Sequence, residues 1–191
     1  MADRLDLQRV SVALCRTGWI RFWIQTILGV VVISILIFNN IGNRLTANSD
    51  RILGLGPGLS LTTLSFLVLL YSLWQGRLII AKGRALNSVS RPSKRETIRV
   101  IKNALIGDLL GLLFASLGYQ ALSGSLFIQA SLQIPGFFSS NSTGSQGVSL
   151  AGYPITSIEM LSVLSNTQVL FAHLLGLLLT LWLLKRVYNS A

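Results

Sequence analysis

Four stretches of this chain are long and apolar enough to cross a lipid bilayer, and that excludes most other folds open to 191 residues. A hydrocarbon core about 30 Å thick needs roughly 20 residues in helical form, because a helix satisfies its own backbone hydrogen bonds where the lipid offers none. Trp19 to Phe38 has that length. Its start is marked by Trp19, Phe22 and Trp23, ring types that favour the headgroup level, and Arg21 is placed to snorkel there. Leu59 to Ile80 is the second span, with Trp74 and Arg77 at its far end. Gly54, Gly56, Pro57 and Gly58 precede it as a breaking run, so this span is expected to start after Pro57. Ala104 to Ala130 is the third, and at about 40 Å in helical form it should tilt or protrude. Leu161 to Leu184 is the fourth, stopped by Lys185 and Arg186.

The expected fold class is therefore an all-α integral membrane protein, a bundle of four transmembrane helices over residues 19–191. Residues 1–18 form a separate N-terminal segment in this reading. Its stretch LDLQRVSVALCR alternates apolar and basic residues, a pattern that suits an amphipathic helix on the inner membrane surface.

Charge agrees with this class. Only 12% of residues are charged against about 25% in soluble domains, yet the net charge is +10. A basic balance ordinarily raises nucleic acid as a partner, but here the positives flank apolar runs and form no stripe. Arg4, Arg9, Arg16 and Arg21 precede or open the first span. Arg77, Lys82, Arg84, Arg91, Lys94, Arg95, Arg99 and Lys102 crowd the connector between spans two and three, with Glu96 as its one acid. The first outer loop has Arg44, Arg51 and Asp50, and Ser131 to Ser157 has no charge. Positive residues stay inside, so both termini and the basic connector are expected in the cytoplasm. The connector has the charge to contact anionic lipid or an acidic partner surface.

Catalytic chemistry finds little support. The single Cys15 rules out an intramolecular disulfide, and the single His173 rules out a His-rich metal site within one chain. There is no nucleophile–base set, P-loop or HExxH. Neither enzymatic activity nor a resident cofactor is expected.

Polar residues inside the spans are the candidates instead. Asp108 is costly in hydrocarbon and functional by default. Its structural alternatives are a pair with Arg99 or Lys102, or a protonated carboxyl facing another helix. His173, near the middle of span four, can carry protons or ligate a cation, or can donate one interhelical hydrogen bond as a neutral ring. Glu159 opens span four, where it either complements the helix N-terminus or receives cations. Asn166, Thr167, Gln168, Gln25, Gln120 and Gln129 are amides and hydroxyls suited to joining helices. Gly107, Gly111 and Ala115, and Ala172 with Gly176, give small faces at four-residue spacing, so spans three and four are expected to pack together. Asn141-Ser142-Thr143 matches a glycosylation acceptor, a triplet common by chance in Ser-rich loops.

Several of these residues fall in recognisable runs. Arg16-Thr17-Gly18-Trp19, Phe22-Trp23-x-Gln25, Gly118-Tyr119-Gln120-Ala121 and Ala172-His173-Leu174-Leu175-Gly176-Leu177 occur in order, followed by likeness at Gln146-Gly147 and Tyr153-Pro154. The set resembles an uncharacterised membrane family of cyanobacteria and plastids, which includes a chloroplast inner-envelope protein described both as a permease and as a small translocon subunit. The resemblance implies four spans and one of two roles, iron transport or participation in protein import. No plant transit peptide or secretory signal is evident, so a cyanobacterial member in the plasma or thylakoid membrane is expected.

Two functions follow as expectations. One is a permease or transport-complex subunit for iron or another divalent cation, with Asp108, Glu159 and His173 as transient ligands. The other is a non-transporting scaffold of a larger translocon-like or photosynthetic membrane complex. Four helices enclose little space, so a homo-oligomer or a larger complex is expected in either case.

Overall fold

The computed structural model describes residues 2–45, 52–87, 92–131 and 157–189. They form four helices, α1 (Ala2–Leu45), α2 (Ile52–Ala85), α3 (Lys94–Ser131) and α4 (Ser157–Tyr188). Each contains a segment long and apolar enough to cross a membrane: Gln8–Asn39, Gly56–Ala85, Lys94–Ile128 and Glu159–Tyr188. The protein is an all-α integral membrane protein with the four spans its sequence indicates.

The helices stand in a ring in which each packs on its neighbours, with α4 closing onto α1. Across the middle α2 and α4 approach each other, whereas the backbones of α1 and α3 stay apart at opposite corners. The outside is apolar: Ile27, Phe38, Leu67, Leu113, Phe127 and Leu178 are exposed. In water such a surface would drive association; in hydrocarbon it meets a matching solvent.

The interior is layered. Val10, Leu14, Ile79, Leu86, Ile101, Ala104, Leu183 and Val187 form an apolar cluster at the end where the chain begins and ends. Val32, Phe66, Leu69, Ala115, Val169 and Ala172 form a second one further along the bundle. Between them lies a layer of buried polar side chains.

Three expectations about element boundaries change. The stretch before Trp19 is helical but not set apart: α1 runs unbroken from Ala2 to Leu45, with Val10 and Leu14 in the first core cluster and the Ser11 hydroxyl donating to the Gly83 carbonyl at 2.7 Å. The Gly-Pro run does not break the chain either, because Pro57 lies inside α2. Gly58 serves contact instead of turning: a Cβ there would lie 2.5 Å from Leu122 Cγ, so only glycine lets α2 and α3 come so close, whereas a Cβ on Gly56 would meet nothing within 4 Å. Finally, most of the basic connector is helical. Arg77, Lys82 and Arg84 sit in α2 and residues from Lys94 onward in α3, with Lys82 paired to Glu96. Lys82 and Arg84 lie in the last turn of α2, where positive charge complements the helix dipole. The outer-loop features, Asn141-Ser142-Thr143 and the aromatic residues Phe137, Phe138 and Tyr153, lie outside the described residues.

Candidate functional site

The polar layer is built by one or two residues from every helix. Arg21 and Gln25 sit one turn apart on α1, Ser65 and Ser72 two turns apart on α2, Asp108 on α3, and His173 on α4. Arg21, Asp108 and His173 are 1%, 0% and 0% exposed. His173 lies midway along the apolar segment Glu159–Tyr188, about 21 Å from either end.

The Asp108 carboxylate is the hub. Arg21 Nη2 donates to Asp108 Oδ2 at 2.9 Å and to Ser72 Oγ at 2.6 Å. Gln25 Nε2 donates to Asp108 Oδ1 and to Ser72 Oγ, each at 3.1 Å, and stands 3.5 Å from the Ala172 carbonyl. The Ser72 hydroxyl completes the set, with both Asp108 Oδ1 and Gln25 Oε1 within reach of its one proton. Pairing and hydrogen bonding of this density are what allow two charges to lie so deep, since either alone would cost several kcal/mol.

His173 completes the layer from α4. Its Nε2 lies 3.2 Å from the Ser65 carbonyl, which can only accept, so Nε2 carries the hydrogen. The other ring nitrogen, Nδ1, faces Asp108 Oδ1 across 3.5 Å and makes no hydrogen bond among the described residues. Arg21 Nε and Nη1 likewise have none. The Ser65 hydroxyl donates to the Gly111 carbonyl at 2.7 Å, tying α2 to α3 beside the ring.

Two glycines make room for these groups. A Cβ on Gly111 would lie 2.1 Å from the imidazole, and one on Gly176 would lie 2.3 Å from Gln25 Nε2 and 2.8 Å from Asp108 Oδ2. Ala115 and Ala172 join the second core cluster, while Gly107 faces α2, where an added Cβ would meet the Tyr71 ring at 3.2 Å. The small residues of α3 thus serve α2 as well as α4.

A second polar layer lies nearer the other end. Thr62 Oγ1 donates to Asn166 Oδ1 at 2.8 Å, and Asn166 Nδ2 to the Ala115 carbonyl at 2.9 Å. Beyond it Asn39 Nδ2 donates to Ser162 Oγ at 3.0 Å. Of the other polar candidates, Thr167 and Gln168 are half-buried, Gln120 is exposed, and the Gln129 side chain lies outside the described residues.

The structure brings Asp108 and His173 together and leaves Glu159 apart. Glu159 is buried in the first turn of α4, about 21 Å from His173 along the helix. Among the described residues no three His, Cys, Asp or Glu side chains gather. Arg21 is the main correction: it points inward to Asp108 and not outward to headgroups, and Arg99 and Lys102 are not the partners of Asp108. A charge count held the signal. Of the six acids only Asp108 falls well within an apolar run, and Arg21 is the one basic residue early in another. Ser65 and Ser72 carried a weaker mark, a polar stripe with Thr62 at spacings of three and seven.

Comparison with known proteins gives a relative and a family. The Arabidopsis thaliana chloroplast protein TIC 21 is 25% identical over 182 residues, covering 95% of this chain and 58% of its own length. The chain therefore spans a little over half of that relative. No solved structure matches it. A family description, protein of unknown function DUF3611, matches residues 4–188. On a match that runs almost end to end, the chain belongs to the DUF3611 family.

Proposed function

We propose that this protein is a membrane permease or a subunit of a transport complex, with the Arg21–Asp108–His173 assembly as its working element. One observation carries the reading: an acid, a base and an imidazole are buried together at mid-height of a bundle of spanning helices. Such groups are expensive in a membrane interior and concentrate where ions or protons pass. The resemblance to a plastid family with proposed roles in iron transport and protein import supports the same reading. In it the chain moves or supports cargo and catalyses no covalent step, in a membrane of cyanobacterial or chloroplast-envelope type.

The cargo we infer is a divalent first-row cation, iron included. Asp108 Oδ1 and His173 Nδ1, 3.5 Å apart, can both reach one ion at about 2 Å. Arg21 on the other carboxylate oxygen opposes a second positive charge there, which suits brief contact during passage better than storage. Glu159 supplies a further carboxylate toward one end of the same helix. The test is uptake of radioactive iron by vesicles containing the purified protein. Wild type should exceed empty vesicles, and His173→Gln and Asp108→Asn should both lose the excess. Wild-type flux no higher than empty vesicles would remove the reading.

A second reading has its own observation. The Asp108 carboxylate is already held by Arg21, Gln25 and Ser72, so the same network serves equally to lock four helices into a rigid scaffold for a larger complex. Mild-detergent pull-down separates the two: one stoichiometric large partner favours the scaffold, and self-association alone favours the permease.

A further inference from the structure

We propose a binding site for the headgroup of an anionic phospholipid in the cleft between α1 and α4, at the end of the bundle where the chain begins and ends. The cleft has a volume of about 460 Å³, within the usual range for ligand sites, and Arg9, Arg16 and Arg186 line it. Arg9 and Arg16 are seven residues apart, two turns along one face of α1, and Arg186 meets them from the last turn of α4. Gln8 and Thr17 add uncharged polar groups, and no acid lines the cleft among the described residues.

Guanidinium forks match the paired oxygens of a phosphate and are less strongly hydrated than ammonium groups, so an arginine cluster is the chemistry expected around that ligand. Among the described residues no ion pair joins Arg16 or Arg186 to an acid. The contrast with the basic connector is informative. There a cleft of similar size, lined by Ser93, Arg95, Glu96 and Arg99, contains a carboxylate that would repel an anion.

Position selects a lipid over a soluble anion. Val12 and Trp182 form apolar walls of the cleft and are 57% and 51% exposed on the outside of the bundle. Trp182 and the exposed Trp19 are the ring type that settles at headgroup depth. A headgroup held by the arginines therefore has apolar surface beside it for acyl chains, which a free phosphate would leave unused. The site is independent of the buried charge cluster and of any cargo.

Native mass spectrometry of the intact protein, titrated with phosphatidylglycerol or phosphatidylcholine in detergent, tests it. Wild type should retain phosphatidylglycerol preferentially. Replacing two of the charges, Arg16→Gln with Arg186→Gln, should weaken phosphatidylglycerol roughly thirtyfold and leave phosphatidylcholine unchanged. Arg95→Gln with Arg99→Gln should leave both lipids unaffected. Arg16→Lys with Arg186→Lys, which keeps charge and loses the forks, should fall between, and unchanged size-exclusion profiles would show that these exposed positions do not alter the fold. Equal retention by wild type and the Arg16/Arg186 variant would overturn the site. So would an equal loss in the Arg95/Arg99 variant, which would mean diffuse charge, or displacement of the lipid by equimolar inorganic phosphate, which would mean a soluble anion.

Discussion

Arg21 and Asp108 tie together the two helices whose backbones do not touch: Nη2 on α1 meets Oδ2 on α3 at 2.9 Å, across the diagonal of the bundle. The long arginine side chain spans a distance that no backbone contact covers. Removing one partner leaves the other charged, buried and unsatisfied, which is the expensive way to break such a pair.

Asp108→Leu is therefore expected to destabilise the bundle by about 3–5 kcal/mol, with Arg21→Met close behind. The double variant should lose less than the sum, because neither charge is then stranded. Unfolding titrations in mixed detergent micelles measure this coupling, and additive losses would show that the two residues do not act as a pair.

Gly111→Ala and Gly176→Ala should each cost at least about 2 kcal/mol, since the added methyl meets the imidazole at 2.1 Å in one case and Gln25 at 2.3 Å in the other. Gly124→Ala, with nothing within 4 Å of the new Cβ, is the matched control and should be neutral or slightly stabilising through helix propensity. Melting temperatures in one detergent decide it.

Asn166→Ala removes a donor and an acceptor from Thr62 and the Ala115 carbonyl and should cost about 1–2 kcal/mol, within the range for hydrogen bonds between membrane helices. Gln168→Ala, two residues on and half-buried, should change stability by less than about 0.5 kcal/mol. Equal effects would mean that the Asn166 bonds contribute nothing beyond bulk.

The charge distribution predicts the topology. In a Cys15→Ser background, Asn87→Cys, exposed just past α2, should react with an impermeant maleimide in inside-out vesicles and stay unlabelled in intact right-side-out cells. The reverse pattern would invert the bundle.

Much of this is legible in the amino-acid sequence. Span number and class follow from apolar length, because the bilayer makes a demand that each segment meets by itself. The small-residue faces and the candidates Asp108, His173 and Asn166 stand out for the same reason: a polar or tiny side chain in a greasy run is locally conspicuous. Element ends are less legible. Pro57 and its glycines signal a break when only the neighbouring sequence is weighed, and Leu122, far along the chain on another helix, is what turns Gly58 into a contact point.

What the chain alone determined is that four helices enter the membrane and that a few costly groups enter with them; those are properties of single segments against a uniform solvent. What only the tertiary structure decided is which way those groups face and whom they meet. Arg21 near the start of a span has two outlets, the headgroups or an acid at the same height on another helix, and the choice depends on Asp108, Ser72 and Gln25 being brought to one level by the packing of all four helices. Pairing energy in a low-dielectric interior belongs to that arrangement and is absent from any one segment.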